Sequence, residues 1–387
     1  MKLASIEKVK NLKNKKVLVR VDFNVPIEGG KVLDDYRIKA ALPTINYLIQ
    51  AKAKIILISH LGDAGAKIGP NLSLKPVAKR LSQILKKPVC FVSETFGYRA
   101  DEEIKKMLAG DIVFLENLRF NEGELKDDLK FAKRLAAYAD IYVNEAFSVC
   151  HRKQASVSAI KKVMPIYYGL QVVKEIESLD KILKPAKPLI VIIGGDKIST
   201  KAPIISKIYD SASQVLIGGA LANNFFKHMK LEVGKSLVDT DSEVYVKKFF
   251  TGKKLADKII LPVDVIVRGR NKLPKVKKIN EVLKSEAILD IGPETIALFS
   301  SYIRTAQTIV WNGPLGKFEE KSYKHGTLAI AIAVAARSTG KAFGLVGGGD
   351  TGEALKETKM EAYVDFVSTA GGAMLAYLGG EKLPGLK

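Results

Sequence analysis

Short apolar runs recur along the chain: "KVLVRVDF", "KIILISH", "DIVFLEN" and "DIYVNEA", then "PLIVIIGG", "QVLIGGA", "KIILPVDVIV", "TIVWNG" and "KAFGLVGGG". Between them, stretches such as "RIKAALPTINYLIQA" and "DDLKFAKRLAAYA" repeat apolar positions at helical spacing. Continuous apolar strands alternating with amphipathic helices predict parallel sheets covered on both faces, so the fold class is α/β. The pattern runs twice. The charged stretch "YYGLQVVKEIESLDKILKPAKP" between the two runs predicts a linker helix ending in two prolines. No short-period repeat is present.

Ligands of open α/β sheets lie beyond the carboxyl ends of the strands, so the residues that follow each apolar run are the informative ones. In the first half these are Asp22 and Asn24, Ser59 and His60, Asn117 and Arg119, and the segment from Asn144 to Arg152. In the second half they are mostly glycines: Gly194 and Gly195, Gly218 and Gly219, Gly313 between Asn312 and Pro314, and Gly347, Gly348 and Gly349. Polar and cationic side chains on one half and bare backbone on the other predict two different ligands.

A chain of 387 residues is long enough for two cores, and its formal charge of +21 points to an anionic partner. Only 11 of the 62 basic residues are arginine, and the lysines are scattered through amphipathic segments. No aromatic-interleaved basic patch accompanies them, so no dedicated nucleic-acid site is expected. Cys90 and Cys150 suggest neither a disulfide framework nor a zinc cluster. With no apolar run of membrane-spanning length and no signal-like N-terminus, a soluble cytoplasmic protein is expected.

In "VGGGDTGEAL" three glycines after a strand let backbone N–H groups approach a phosphate, and the following helix adds positive potential at its N-terminus. Asp350 would repel that phosphate unless a cation stood between them. A Mg²⁺ held by this carboxylate and by phosphate oxygens fits the requirement. The lysines come from "GGDKISTKAPI", where Lys197 and Lys201 can reach different phosphates of one polyphosphate and Ser199 or Thr200 can cap the helix. The G-x-G-x-x-G dinucleotide fingerprint is missing, which disfavours a nicotinamide enzyme. In the first half Arg20, Arg37, Arg119 and Arg152 all lie in or just after strand-end motifs, and their planar forks suit carboxylate and phosphate.

These motifs resemble those of phosphoglycerate kinase over essentially the whole chain. "RVDFNVP", "SHLG", "SLKPVAKRL", "ENLRF", "AFSVCHR", "GGDKIS", "DIGPET", "WNGPLGKFE", "GGGDT" and "STAGGA" occur in that family's order. The resemblance implies reversible phosphoryl transfer between 1,3-bisphosphoglycerate and Mg-ADP, giving 3-phosphoglycerate and ATP in glycolysis or gluconeogenesis. It also implies two Rossmann-like domains that close about a hinge, in a protein expected to be a monomer. The expected limits are 1–167 for the phosphoglycerate domain, 168–184 for the linker helix and 185–367 for the nucleotide domain. Residues from about 368 to 387 are expected to pack back on the first domain.

Roles follow position by position. Asp22, Asn24, Arg37, His60, Arg119 and Arg152 resemble the glycerate site, with Arg37 also stabilising the transferring group. Lys197 would follow that group, Lys201 would hold nucleotide phosphates, and Gly371 and Gly372 would offer N–H groups to it. Asn312, Pro314, Glu319, Gly347, Gly348, Gly349 and Thr351 resemble nucleotide contacts, and Asp350 the magnesium ligand. Gly194, Gly195, Gly218 and Gly219 would shape the adenine pocket. The attacking phosphate oxygen is already ionised, so His60 is expected to be a binding contact and not a proton shuttle. Four positions depart from the family pattern: Asp63 stands where an arginine is usual, with Lys67 as a compensating charge, Glu145 replaces an aspartate, Asp196 a small residue and Ala370 a glycine. The inverted charge at Asp63 is the best support for a competing reading, an impaired relative with a basic binding surface.

Overall fold

The structure, a computed structural model, describes residues 3–63, 69–239, 242–250 and 256–386. Lys67 lies outside these described residues. The chain divides into two compact units, one of residues 1–177 with 382–387 and one of residues 178–381.

The first unit is built on the parallel strands β1 (Lys16–Arg20), β2 (Lys54–Ile58), β3 (Cys90–Val92), β4 (Ile112–Leu115), β5 (Ile141–Asn144) and β6 (Ile166–Tyr168). Their spatial order is β3-β4-β2-β1-β5-β6. Alternate residues Val17, Val19, Ile55, Leu57, Ile112 and Phe114 join one core with Ile45 and Leu48 of the helix Leu42–Gln50. The intervening Leu18, Ile56 and Ile58 are also fully buried, which explains why these strands read as unbroken apolar runs. "RIKAALPTINYLIQA" forms two helices, Tyr36–Ala40 and Leu42–Gln50, because Pro43 tolerates only the first turn of a helix. Register fixes the site: Arg20 lies level with Ile58 and Asn144, so the segments after β1, β2 and β5 emerge together.

The second unit continues with β7 (Leu189–Ile193), β8 (Gln214–Ile217), β9 (Ile259–Ile260), β10 (Asp264–Arg268), β11 (Pro274–Lys278), β12 (Ala287–Ile291), β13 (Thr308–Asn312), β14 (Phe343–Gly347) and β15 (Phe366–Ser368). Six of them make a parallel sheet in the order β9-β8-β7-β13-β14-β15, and three make an antiparallel sheet in the order β11-β10-β12. In the parallel sheet the strand order reverses between β7 and β13, the place where such sheets open a crevice. Asn312 is level with Ile193 and Gly347, so the loops after β7, β13 and β14 leave side by side.

Three expectations change in detail. "KIILPVDVIV" is not one strand: Pro262 separates β9 from β10, which pairs antiparallel. The expected linker is the helix Leu170–Leu183, and the division between units falls within it. The C-terminal segment groups with the first unit only from Lys382 and not from about 368, because the helix Gly371–Leu378 packs on the helix Ile198–Ile208 of the second unit.

Candidate active site

In the first unit, the ends of β1, β2 and β5 gather charge around Asp22. Its carboxylate accepts from Arg37 Nη1 and from the Ser148 hydroxyl, and its Oδ1 lies 3.9 Å from His60 Nδ1. Burial alone would raise this carboxyl. Arg37, the Ser148 hydroxyl and Arg20 oppose that and hold the group below its ordinary range. Asn24 Oδ1 accepts Gly62 N–H at 2.9 Å, tying the turn after β1 to the one after β2.

Asn117 begins the next wall. Its Oδ1 accepts from Arg119 N at 3.0 Å and its Nδ2 donates to Leu61 O and Leu72 O. Arg119 thereby sits inside the cluster with 8% exposure, donating Nη1–H to Gly62 O. Its Nε and Nη2 are buried with no partner among the described residues. Burial, then Arg152 and Arg20, lower its pKa to about 10, while Asp63 pulls the other way. A guanidinium crowded by like charge and left with two unused donors calls for an anion. Asp63 itself is exposed, yet its charge is felt at Arg119.

In the second unit a cavity of about 430 Å³ opens beside the reversal of strand order. Gly195, Gly219, Pro314 and Leu315 form one wall, and β10 and β12 contribute Val265, Arg268 and Asp290. The backbones after β7 and β13 touch: Gly194 N donates to Asn312 O at 3.0 Å, and a Cβ on Gly194 would lie 2.0 Å from Pro314 O. Lys201 Nζ reaches Asn312 Oδ1, and Asn312 Nδ2 holds Gly347 O at 2.8 Å. Burial lowers the Lys201 pKa, opposed by Asp196 and Asp350.

Gly348, at φ +103°, precedes the helix Gly349–Glu357 and allows no ordinary side chain. The Thr351 hydroxyl is fully buried; it accepts Gly313 N–H and donates to Gly347 O, so it braces the glycine turn from inside. Lys197 is exposed and occupies the N-cap position of the helix Ile198–Ile208. That corrects the expected cap: Ser199 and Thr200 lie in the first turn, with the Thr200 hydroxyl donating back to Lys197 O. Gly371 opens the helix Gly371–Leu378 at φ +24°, followed by Gly372, and an added Cβ on Gly371 would meet nothing within 4 Å. Ala370 has φ −108°, which any residue adopts, so the missing glycine is not needed there.

Asp196, Glu319 and Asp350 line the cavity together. Burial, then Glu319, Asp196 and Glu353, raise the Asp350 carboxyl, with Lys201 in opposition. Such crowding of acids suits a cation. Among the described residues no three such side chains group closely enough to hold a metal ion by themselves. Sequence reading missed Arg268, Val265 and Asp290 in this wall. The quoted "DIGPET" contained Asp290, but nothing in an apolar run tells that β10 and β12 turn toward the cavity.

The comparisons with known proteins agree with this geometry. The family description "Phosphoglycerate kinase" matches residues 6–381. The chain belongs to the phosphoglycerate kinase family. The phosphoglycerate kinase of Pelotomaculum thermopropionicum is 41% identical over 97% of this chain and 96% of its own. That of Thermosipho africanus is 42% identical over 97% and 95%. The solved structure of phosphoglycerate kinase from Coxiella burnetii superposes with a TM-score of 0.85 at 38% identity, covering 99% of this chain and 98% of that one. Among the described residues no helix is long and apolar enough to cross a membrane.

Proposed function

We propose that the chain transfers a phosphoryl group reversibly between the acyl phosphate of 1,3-bisphosphoglycerate and ADP, yielding 3-phosphoglycerate and ATP in the cytoplasm. The observation that carries this reading is Arg119, whose Nε and Nη2 are buried and unpartnered among the described residues, beside Arg20, Arg152 and His60. A phosphate or carboxylate of the glycerate satisfies both donors. Asp22 and Asn24 bind its hydroxyl end, and Arg37, 35% exposed, is free to swing from Asp22 toward the migrating group.

In the second unit the cavity takes the nucleotide, with Gly195 and Gly219 lining the base pocket, Gly194 and Gly218 packed behind it against Pro314 and Leu315, and Glu319 available to the ribose. Lys201, Asn312 and the amides after Gly347 hold phosphate oxygens, and Lys197 with the N–H groups of Gly371 and Gly372 follows the transferring group. Mg²⁺, when bound through Asp350, neutralises phosphate charge and orients the nucleotide. The side chains supply position and positive charge, which is most of what phosphoryl transfer asks of a protein. His60 takes no proton: burial and the Arg20 charge push its pKa well below the ordinary value. Measuring ATP formation from 1,3-bisphosphoglycerate and ADP tests the reading. Formation that needs both substrates and Mg²⁺ is expected, and absence of turnover refutes it.

A further inference from the structure

Behind the first unit's site lies a chain of hydrogen bonds in which every proton can be assigned. Arg20 is fully buried and can only donate. Its Nη2 lies 3.1 Å from His60 Nδ1, its Nε 2.9 Å from Ser156 Oγ and its Nη1 2.6 Å from Val21 O. His60 Nδ1 is therefore the acceptor, and the proton of the neutral ring sits on Nε2. Ser156 Oγ, having accepted from Arg20, spends its own proton on Glu124 Oε1 at 2.6 Å. The other Glu124 oxygen accepts Ser156 N–H at 2.9 Å. Both oxygens accept, as an ionised carboxylate does, and Glu124 is itself fully buried. Burial raises its pKa, and Arg20 and the two Ser156 bonds work against that shift.

We propose that Glu124, Ser156 and Arg20 form a positioning relay that locks His60 as a neutral imidazole protonated on Nε2, able to serve the phosphoglycerate only as a hydrogen-bond donor. The role toward substrate rests on the proposed function; the tautomer does not. Glu124 anchors the serine hydroxyl, the serine fixes the guanidinium plane, and the guanidinium fixes the ring. The charged groups facing His60 are Arg20, Asp22, Arg119 and Arg152, and only Asp22 favours a second proton. Its Oδ1, at 3.9 Å from Nδ1, is too far to compete with Arg20 for that nitrogen.

The test is long-range ¹⁵N–¹H NMR of the full chain carrying ¹⁵N-labelled histidine, with His60 assigned among the 4 histidines by His60→Gln. The expected wild-type spectrum shows unprotonated Nδ1 and protonated Nε2, unchanged through the range in which an ordinary histidine titrates. Ser156→Ala and Glu124→Gln should each release the ring, giving mixed tautomers of a still-neutral imidazole, because burial and the Arg20, Arg119 and Arg152 charges remain. They should also raise KM for 3-phosphoglycerate about fivefold, the worth of one well-placed hydrogen bond, and leave KM for ATP unchanged. A wild-type ring protonated on Nδ1 overturns the proposal, and that spectrum needs no variant to fold. An unchanged tautomer in both variants overturns the relay. A tautomer shift without a change in KM for 3-phosphoglycerate overturns the substrate-facing role, while turnover of the wild type is judged by its own assay.

Discussion

The Thr44 hydroxyl donates to Glu145 Oε1 at 2.6 Å and itself accepts Leu170 N–H at 2.7 Å. Gln171 N–H adds a second bond to the same Glu145 oxygen at 3.2 Å, so the two side chains together cap the helix Leu170–Leu183. Glu145 is buried, and burial pushes its carboxyl up to about 8, against the bonds that favour its ionised form.

The folded chain therefore keeps a proton on Glu145 up to about pH 8, whereas the unfolded chain releases it near 4.5. The native state binds more protons across that window, so this group's contribution to stability is full below it, falls as pH rises and is lost above about 8. Glu145→Gln should remove that slope. Urea denaturation at about pH 5 and about pH 9 should show the variant gaining on the wild type by on the order of 4 kcal/mol at the higher pH. Parallel profiles would contradict the assignment.

Arg119→Ala should weaken 3-phosphoglycerate binding by about 100-fold, because two buried donors lose the anion they are set to hold. Arg119→Lys should not restore it, since a point charge cannot replace the fork. Calorimetry with 3-phosphoglycerate and, separately, with ADP checks this. Equal losses for both ligands would mean that the site had unfolded and not lost one contact.

Asp63 acts on Arg119 from an exposed position, where a charge counts for little. Asp63→Asn should lower KM for 3-phosphoglycerate about twofold at low salt, the difference fading as salt is raised. A raised KM would show that Asp63 supports the site.

Much of this was legible because parallel strands put chemistry at one end: Asp22, His60 and Arg119 follow β1, β2 and β4, Gly194 follows β7, and Asn312 and Gly347 end β13 and β14. What stayed hidden depended on partners in space. β10 read as part of one apolar run, and β12 entered only through the motif "DIGPET"; neither says that the strands pair antiparallel beside the cavity, and so Arg268 and Asp290 went unseen. Thr351 resembled a nucleotide contact by its place in the family motif, and only the structure shows that its hydroxyl is spent on Gly313 and Gly347. Ser199 and Thr200 suited a cap by type, yet the helix starts one residue before them. Ala370 looked costly by comparison with glycine, and only its φ shows that it is not.

Ala370→Gly should accordingly destabilise the chain by about 0.5–1 kcal/mol, through added freedom of the unfolded state, with no gain in kcat. Thermal melting and turnover of the same preparation check both halves. A rise in kcat would show that alanine restrains the amides of Gly371 and Gly372.

The role proposed for Arg37 is to stabilise the migrating phosphoryl group. Its most direct test is kcat for ATP formation in Arg37→Ala, set beside the dissociation constant for ADP. The account predicts a fall in kcat of about 100-fold or more with ADP affinity unchanged. Wild-type kcat in this variant, or a loss of ADP affinity as large as the loss of rate, would contradict it.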